Sequence, residues 1–196
     1  MATAPTTPEV VLRRARSPSA LAVGTTVWLA SELMFFAGLF ASYFTIKSAS
    51  SDWPGTRIIL STGRDAAFTG LLVASSFTMQ HAVGLLGRGH RERSVRWIGL
   101  TFALGAVFLA NQLVEWTQVP FHPSTSAYGS LIFIMTGFHG LHVLFGLIAM
   151  VGLVLRLGVG GPDDPGAEPV AAVITYYWHF VDVVWIALFL AIFELK

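Results

Sequence analysis

The run Ala20 to Ile46, ALAVGTTVWLASELMFFAGLFASYFTI, is apolar throughout and carries one formal charge, Glu32. About 20 residues at helical rise cross the hydrocarbon core of a bilayer, so this run can span one and Glu32 falls near mid-depth. Backbone polar groups in lipid must be satisfied within their own segment, which restricts such a run to helix. A charge at that depth costs at least ~2.5 kcal/mol on insertion scales. Glu32 is therefore expected to be held neutral, to have partners, or both.

Four further apolar segments follow, at about 65–86, 95–117, 126–155 and 170–195. The fourth segment of the chain is long enough to tilt or protrude. The separators SASSDWPGTR, GRGHRER, QVPFHPSTS and GGPDDPGAEP are short and rich in turn residues. No segment alternates with period two, which disfavours a β-barrel. The expected fold is all-α: a polytopic bundle of five transmembrane helices forming one domain over 20–196, behind a polar, basic N-terminal tail at 1–19. The apolar run after that tail is too long for the apolar region of a signal peptide, and no small-residue cleavage site closes it. The tail is expected to be retained, with its first dozen residues disordered.

Composition supports a chain with little mass outside the bilayer. Charged residues make up 12%, against about 25% for soluble domains. The net charge is +1, which gives no case for nucleic-acid binding. The absence of cysteine removes disulfides, thiolate metal sites, iron–sulfur clusters and covalent c-type haem.

Orientation follows from arginine and lysine. The N-terminal tail and the even-numbered loops carry Arg13, Arg14, Arg16, Arg88, Arg91, Arg93, Arg96 and Arg156; the opposite side carries Lys47, Arg57, Arg64 and Lys196. The bias places the N-terminus in the cytoplasm and the C-terminus outside. There is no internal repeat and no pattern of broken helices in inverted repeats, which argues against a secondary transporter.

Ionisable residues within the membrane are functional candidates by default. Besides Glu32, the fourth segment carries His139 and His142, and the fifth His179 and Asp182. Each pair is spaced three apart, and so shares a helix face. Gln112 and Glu115 repeat that spacing near the outer end of the third, and His81 lies near the cytoplasmic end of the second. Three readings of the polar pairs remain open. They could supply metal ligands, although di-iron bundles use Glu-x-x-His pairs with additional carboxylates. A histidine from each of two helices could hold haem b. They could also be interhelical hydrogen bonds, worth about 0.6 kcal/mol each on average. Trp97 and Trp116 bracket the third segment, and Trp53 sits near an interface, as an aromatic belt would. Gly38, Gly70, Gly105, Gly137, Gly140 and Gly146 permit close helix approach. No Gly-x-Ser-x-Gly motif, no credible Ser/His/Asp set and no phosphate-binding glycine loop is read.

SAYGSLIFIMTGFHGLHVLFGLIAM (126–150) and YYWHFVDVVWIALF (176–189) resemble the signatures of haem–copper oxidase subunit III. WLASELMFFAGLFASYF (28–44) is similar to that family's Glu-bearing helix. LLVASSFTMQHA (71–82) and QLVEWTQVPF (112–121) fit the intervening segments in order. The likeness covers about 20–195 and is greatest to the actinobacterial form of cytochrome c oxidase subunit III. The family's long form has seven helices. This chain resembles the last five, so the lipid-holding cleft formed with the first two does not carry over intact. His122 and Pro123 depart from the mitochondrial pattern, and His122 is assigned no role.

The resemblance implies a non-redox subunit that is no catalyst by itself, within a proton-translocating cytochrome c oxidase. Such a subunit packs against the catalytic subunit, supports its proton uptake and protects the complex during turnover. Glu32, His139, His142, His179 and Asp182 match the family's motifs. No cofactor is implied in this chain; haem and copper belong to partner subunits, and bound phospholipid is expected. The implied partners are oxidase subunits I and II, membrane lipids and, in a supercomplex, the cytochrome bc complex. The implied location is the bacterial plasma membrane. Subunit III of a quinol oxidase is the alternative within the family. An independent proton-coupled transporter or intramembrane metalloprotein is the alternative outside it.

Overall fold

The computed structural model describes residues 20–51, 53, 62–119, 123–124, 126–160, 164 and 166–195. The tail at 1–19 and residues Arg57, His122 and Lys196 lie outside the described residues. The described chain forms five helices: α1 (Ala20–Ala49), α2 (Thr62–Leu86), α3 (Arg91–Gln118), α4 (Ala127–Val159) and α5 (Ala167–Phe189). A π-helical turn, Leu190–Glu194, continues α5. No strand is present among the described residues. Each helix coincides with one of the five apolar segments, extended by a few polar residues at its ends.

Four helical stretches are long and apolar enough to cross a membrane: Ala20–Ala49, Arg91–Gln118, Ala127–Val159 and Ala167–Phe193. α2 stands apart because it carries Arg64, Asp65, Thr69, Ser75, Ser76, Thr78, Gln80 and His81. Thr69, Ser75 and Ser76 bond to α5 and Thr78 to α3, whereas Gln80 and His81 are exposed. α2 and α3 form an antiparallel hairpin closed by a tight turn. His90 N–H donates to Leu85 O and Gly89 N–H to Leu86 O, both at 2.9 Å. This pair of bonds ends a helix in a Schellman arrangement, which needs a left-handed residue; Gly89 supplies it with φ of 78°. Along the hairpin, Ser94 Oγ donates to Ala82 O at 2.8 Å, and the Thr78 and Thr101 hydroxyls meet at 2.7 Å.

α5 is the most enclosed element. It packs against α2, α4 and α1, and Trp178 at its centre is fully buried. A Cβ on Gly105 of α3 would lie 2.7 Å from the Trp178 ring, and one on Gly146 of α4 2.6 Å from it. These two glycines therefore open a slot for an indole. Gly137 and Gly140 face Trp116 and Leu109 at ordinary contact distances, and Gly38 and Gly70 face open space. Trp178 Nε1 donates to Ser75 Oγ and Trp185 Nε1 to Thr69 Oγ1, both at 2.9 Å. Spaced seven apart, the two indoles lie on one α5 face toward α2 and use the hydroxyls that make α2 polar.

α1 packs on α4 and α5, with Trp28 stacked on Tyr177 at 5.2 Å and Phe35 edge-on to Phe138 at 4.9 Å. At its far end the Tyr43 hydroxyl donates to Ala191 O at 3.0 Å, within the π-helical turn, and Lys47 Nζ donates to Leu195 O. Much of α1 is otherwise open: Val27, Leu33 and Met34 are exposed.

Candidate functional site

The two polar pairs of α4 and α5 do not converge. They divide into separate clusters, and α1 and α2 decide which.

On α4, His142 points toward α1. Its Nε2 lies 3.1 Å from Glu32 Oε2 and its Nδ1 lies 2.7 Å from Phe138 O, one turn back. A carbonyl oxygen only accepts, so Nδ1 carries a hydrogen. Nε2 is then either a lone pair facing a protonated carboxyl or an N–H facing a carboxylate. In both cases one proton occupies the gap between Glu32 and His142. The expectation that Glu32 has a partner is met by His142. Phe36 lies edge-on to the His142 ring at 5.2 Å, and Tyr177, stacked on Trp28, donates its hydroxyl to His142 O at 2.9 Å. The pair is not sealed: the Glu32 side chain retains 25% of its accessibility and His142 11%. It therefore opens at the α1–α4 surface.

His139, one turn earlier, turns the other way and is fully buried. Its ring lies 4.9 Å from Trp185 and 6.1 Å, edge-on, from Phe108. Neither ring nitrogen has a hydrogen-bond partner among the described residues. A shared helix face thus does not make a shared site.

On α5, His179 and Asp182 meet through a residue the motif reading did not select. Ser76 of α2 contacts both: its Oγ lies 2.8 Å from His179 Nδ1 and donates to Asp182 Oδ2. His179 Nε2 lies 3.3 Å from Gln80 Oε1. Ser, His and Asp side chains thus meet here, but not in a catalytic order. The hydroxyl sits between acid and imidazole, so histidine does not stand between serine and carboxylate as hydrolytic chemistry requires. The available signal was the cluster of hydroxyl and amide residues at 75–80 of α2.

Glu115 lies at the other end of the bundle. Its carboxyl faces that of Asp65 on α2, with Arg64 nearby. Arg64 Nη1 donates to Gln118 Oε1 at 2.8 Å. Trp116 turns inward, its Nε1 donating to Thr136 Oγ1 at 3.2 Å, whereas Trp97 packs on His81 at 4.6 Å. Trp53 is edge-on to Tyr43 and Tyr128.

These arrangements bear on cofactors. Haem ligation across two helices needs imidazole nitrogens free and facing each other. His142 and His179 have both nitrogens engaged, and His139 is enclosed by aromatic rings. Among the described residues no group of three or more His, Cys, Asp or Glu side chains converges as a metal site.

Arg156, in the last turn of α4, and Asp164, beyond that helix, join the end of α4 to the start of α5. Arg156 Nε donates to Asp164 Oδ2 at 2.8 Å and Nη2 to Oδ1 at 3.1 Å, while Gly166 N–H donates to Oδ1 at 3.0 Å. The guanidinium bonds hold the Asp164 carboxyl at about 2, below the ordinary carboxylate range, with the Gly166 bond acting in the same sense.

Comparison with known proteins gives the family. The family model for cytochrome c oxidase subunit III matches residues 14–195. The probable cytochrome c oxidase subunit 3 of Mycobacterium tuberculosis (strain ATCC 25618 / H37Rv) is 44% identical over 183 residues, covering 91% of this chain and 90% of that protein. Cytochrome c oxidase subunit 3 of Corynebacterium diphtheriae is 43% identical over 185 residues, with 91% and 90% covered. That of Thermostichus vulcanus is 33% identical over 180 residues, with 91% and 89% covered. With the matched region taking in all five helices and both polar clusters, the chain belongs to the cytochrome c oxidase subunit III family.

Proposed function

We propose that this chain is the non-redox subunit III of a terminal cytochrome c oxidase in a bacterial plasma membrane. It stabilises the complex and supports proton uptake by the catalytic subunit, and it carries no redox centre itself. Family membership supports the assignment, and the relatives' names supply the electron donor. The observation that carries the proton role is the Glu32–His142 contact. Because Phe138 O fixes the hydrogen on His142 Nδ1, the pair holds one proton at near mid-depth, at a partly open surface. A neighbouring catalytic subunit seated on that surface would meet a group able to hold a proton and release it.

In this reading all five helices cross the membrane. α2 crosses despite its polar residues because α3 and α5 satisfy them, and its 25 residues give a length of about 37 Å at helical rise. The arginine bias puts the N-terminus in the cytoplasm. Exposed apolar residues of α1, α3 and α4 are covered by oxidase subunits I and II and by phospholipid. The cytochrome bc complex is a further partner. Glu115, facing Asp65 toward the outer surface, is a further proton-related candidate apart from the Glu32–His142 pair.

Purification of the tagged chain in mild detergent tests the assignment. Subunits bearing haem and copper should accompany it, and cytochrome c should serve as donor; a chain recovered alone contradicts the reading. Within that complex, Glu32→Gln should leave assembly intact and alter proton pumping or the lifetime of activity.

A further inference from the structure

The α2–α5 seam holds a second ionisable element, separate from Glu32–His142. Asp182 is 5% exposed and Ser76 8%. Asp182 Oδ2 touches Ser76 Oγ, whereas Oδ1 has no hydrogen-bond partner among the described residues. Ser76 Oγ meets His179 Nδ1 at 2.8 Å, and His179 Nε2 meets Gln80 Oε1 at 3.3 Å. The four side chains form a line from exposed Gln80, through half-buried His179, to buried Ser76 and Asp182.

A serine hydroxyl has one hydrogen to donate. When Ser76 gives it to Asp182, the contact with His179 requires Nδ1–H to donate to Ser76 Oγ. When Ser76 gives it to Nδ1, the contact with Asp182 requires a protonated carboxyl that donates to Ser76 Oγ. These are two hydrogen arrangements of one set of heavy atoms. Passing between them moves charge along the line without moving the helices.

We propose that Gln80, His179, Ser76 and Asp182 form a proton relay in which Asp182 is the buried acceptor and His179 exchanges protons with water at the Gln80 end. Before loading, Asp182 is a carboxylate and His179 is neutral with its hydrogen on Nδ1. Hydronium then protonates Nε2 and leaves as water. The Nδ1 hydrogen passes to Ser76 Oγ as the Ser76 hydrogen passes to Asp182 Oδ2. His179 ends neutral with its hydrogen on Nε2, Ser76 ends as a hydroxyl, and the negative charge on Asp182 is cancelled. One proton enters and one charge is removed. Gln80 serves both forms by turning its amide: its NH2 faces the bare Nε2 before loading, and its Oε1 accepts from Nε2–H afterwards.

The line has a direction. Gln80 lies one turn closer than Ser76 to the α2–α3 turn, and His179 lies closer than Asp182 to the start of α5. Both place the opening toward the end of the bundle that carries Arg88, Arg91, Arg93, Arg96 and Arg156. Other ionisable groups on neighbouring helices are engaged elsewhere. Glu32 and His142 pair with each other, His139 lies between Phe108 and Trp185, His81 packs on Trp97, and Asp65 faces Glu115.

The test uses infrared spectroscopy of the purified complex. The protonated-carboxyl band that disappears in Asp182→Asn is followed after transfer to D2O. Ser76→Ala should slow its exchange on the order of 100-fold, the scale of a lost positioned proton-transfer group, and Ser76→Thr should restore it. Wild-type exchange in Ser76→Ala overturns the proposal, as does the lack of any Asp182-dependent band across the range where histidine and buried carboxyls titrate. Should Ser76→Ala fail to assemble, Gln80→Leu at the exposed end decides: slowed exchange supports the relay and unchanged exchange overturns it. A Glu32→Gln control should leave the band and its exchange unaltered, which separates this element from the Glu32–His142 pair.

Discussion

Glu32 and His142 approach to 3.1 Å across the α1–α4 contact, and the second imidazole nitrogen is committed to Phe138 O. That backbone bond gives the contact its chemistry. It removes one tautomer and leaves a single proton to be placed between carboxyl and ring. A carboxyl otherwise costly at this depth is thereby kept in a net-neutral pair.

Glu32→Gln and Glu32→Ala should differ. Glutamine can donate an amide N–H to the His142 Nε2 lone pair, as the protonated acid does, so assembly should be near wild type. Alanine leaves Nε2 without its partner, at a cost of about 1–3 kcal/mol. The Glu32 side chain is a quarter exposed, so loss of the hydrogen bond outweighs any cavity left behind. Thermal unfolding of the two purified variant complexes gives the comparison, and equal midpoints would contradict it.

Gly146→Ala should destabilise the bundle by about 1–3 kcal/mol, the range for overpacking a filled core. The new methyl would meet the Trp178 ring at 2.6 Å, and that ring is wedged and hydrogen-bonded to Ser75. Gly105→Ala should behave alike from the other side of the slot. Gly84→Ala, whose Cβ meets nothing within 4 Å, is the matched control and should be close to neutral. A thermal midpoint for Gly146→Ala equal to that of Gly84→Ala would show that the slot does not constrain the indole.

Asp164 makes stability depend on pH at the α4–α5 connection. Its carboxyl is held at about 2 by Arg156 and the Gly166 N–H, below the ordinary value near 4. A depressed folded value means that the ionised form is favoured by folding. The contribution is fully present above the ordinary value and is lost as pH falls toward about 2. The midpoint difference between wild type and Asp164→Asn should therefore be constant near neutrality and shrink through this acid window. A difference that persists unchanged through it would contradict the assignment.

The helices were legible because lipid allows apolar runs little else, and each boundary lay within a few residues of a turn signal. Glu32 was legible for the same reason. The partners were not. His139 and His142 are three apart and read as one face, yet α1 captures one and the Phe108–Trp185 pair the other, because a helix in a bundle has neighbours on more than one side. Ser76 and Gln80 were invisible as site residues since hydroxyls and amides in apolar helices commonly serve packing. Only the approach of α5 gives them an acid and an imidazole. Gly105 and Gly146 read correctly as small residues but for a different contact, since they admit an indole from α5.

In the proposed function, Glu32 and His142 act as one proton-holding unit in support of the oxidase. A double-mutant cycle on the rate of turnover inactivation tests it most directly, using the purified complex with Glu32→Gln, His142→Gln and both. Each single change should shift the rate to a similar extent, and the double variant should be no worse than either, since the shared proton can be removed only once. Additive effects, or wild-type pumping, turnover and lifetime in Glu32→Gln, would contradict it.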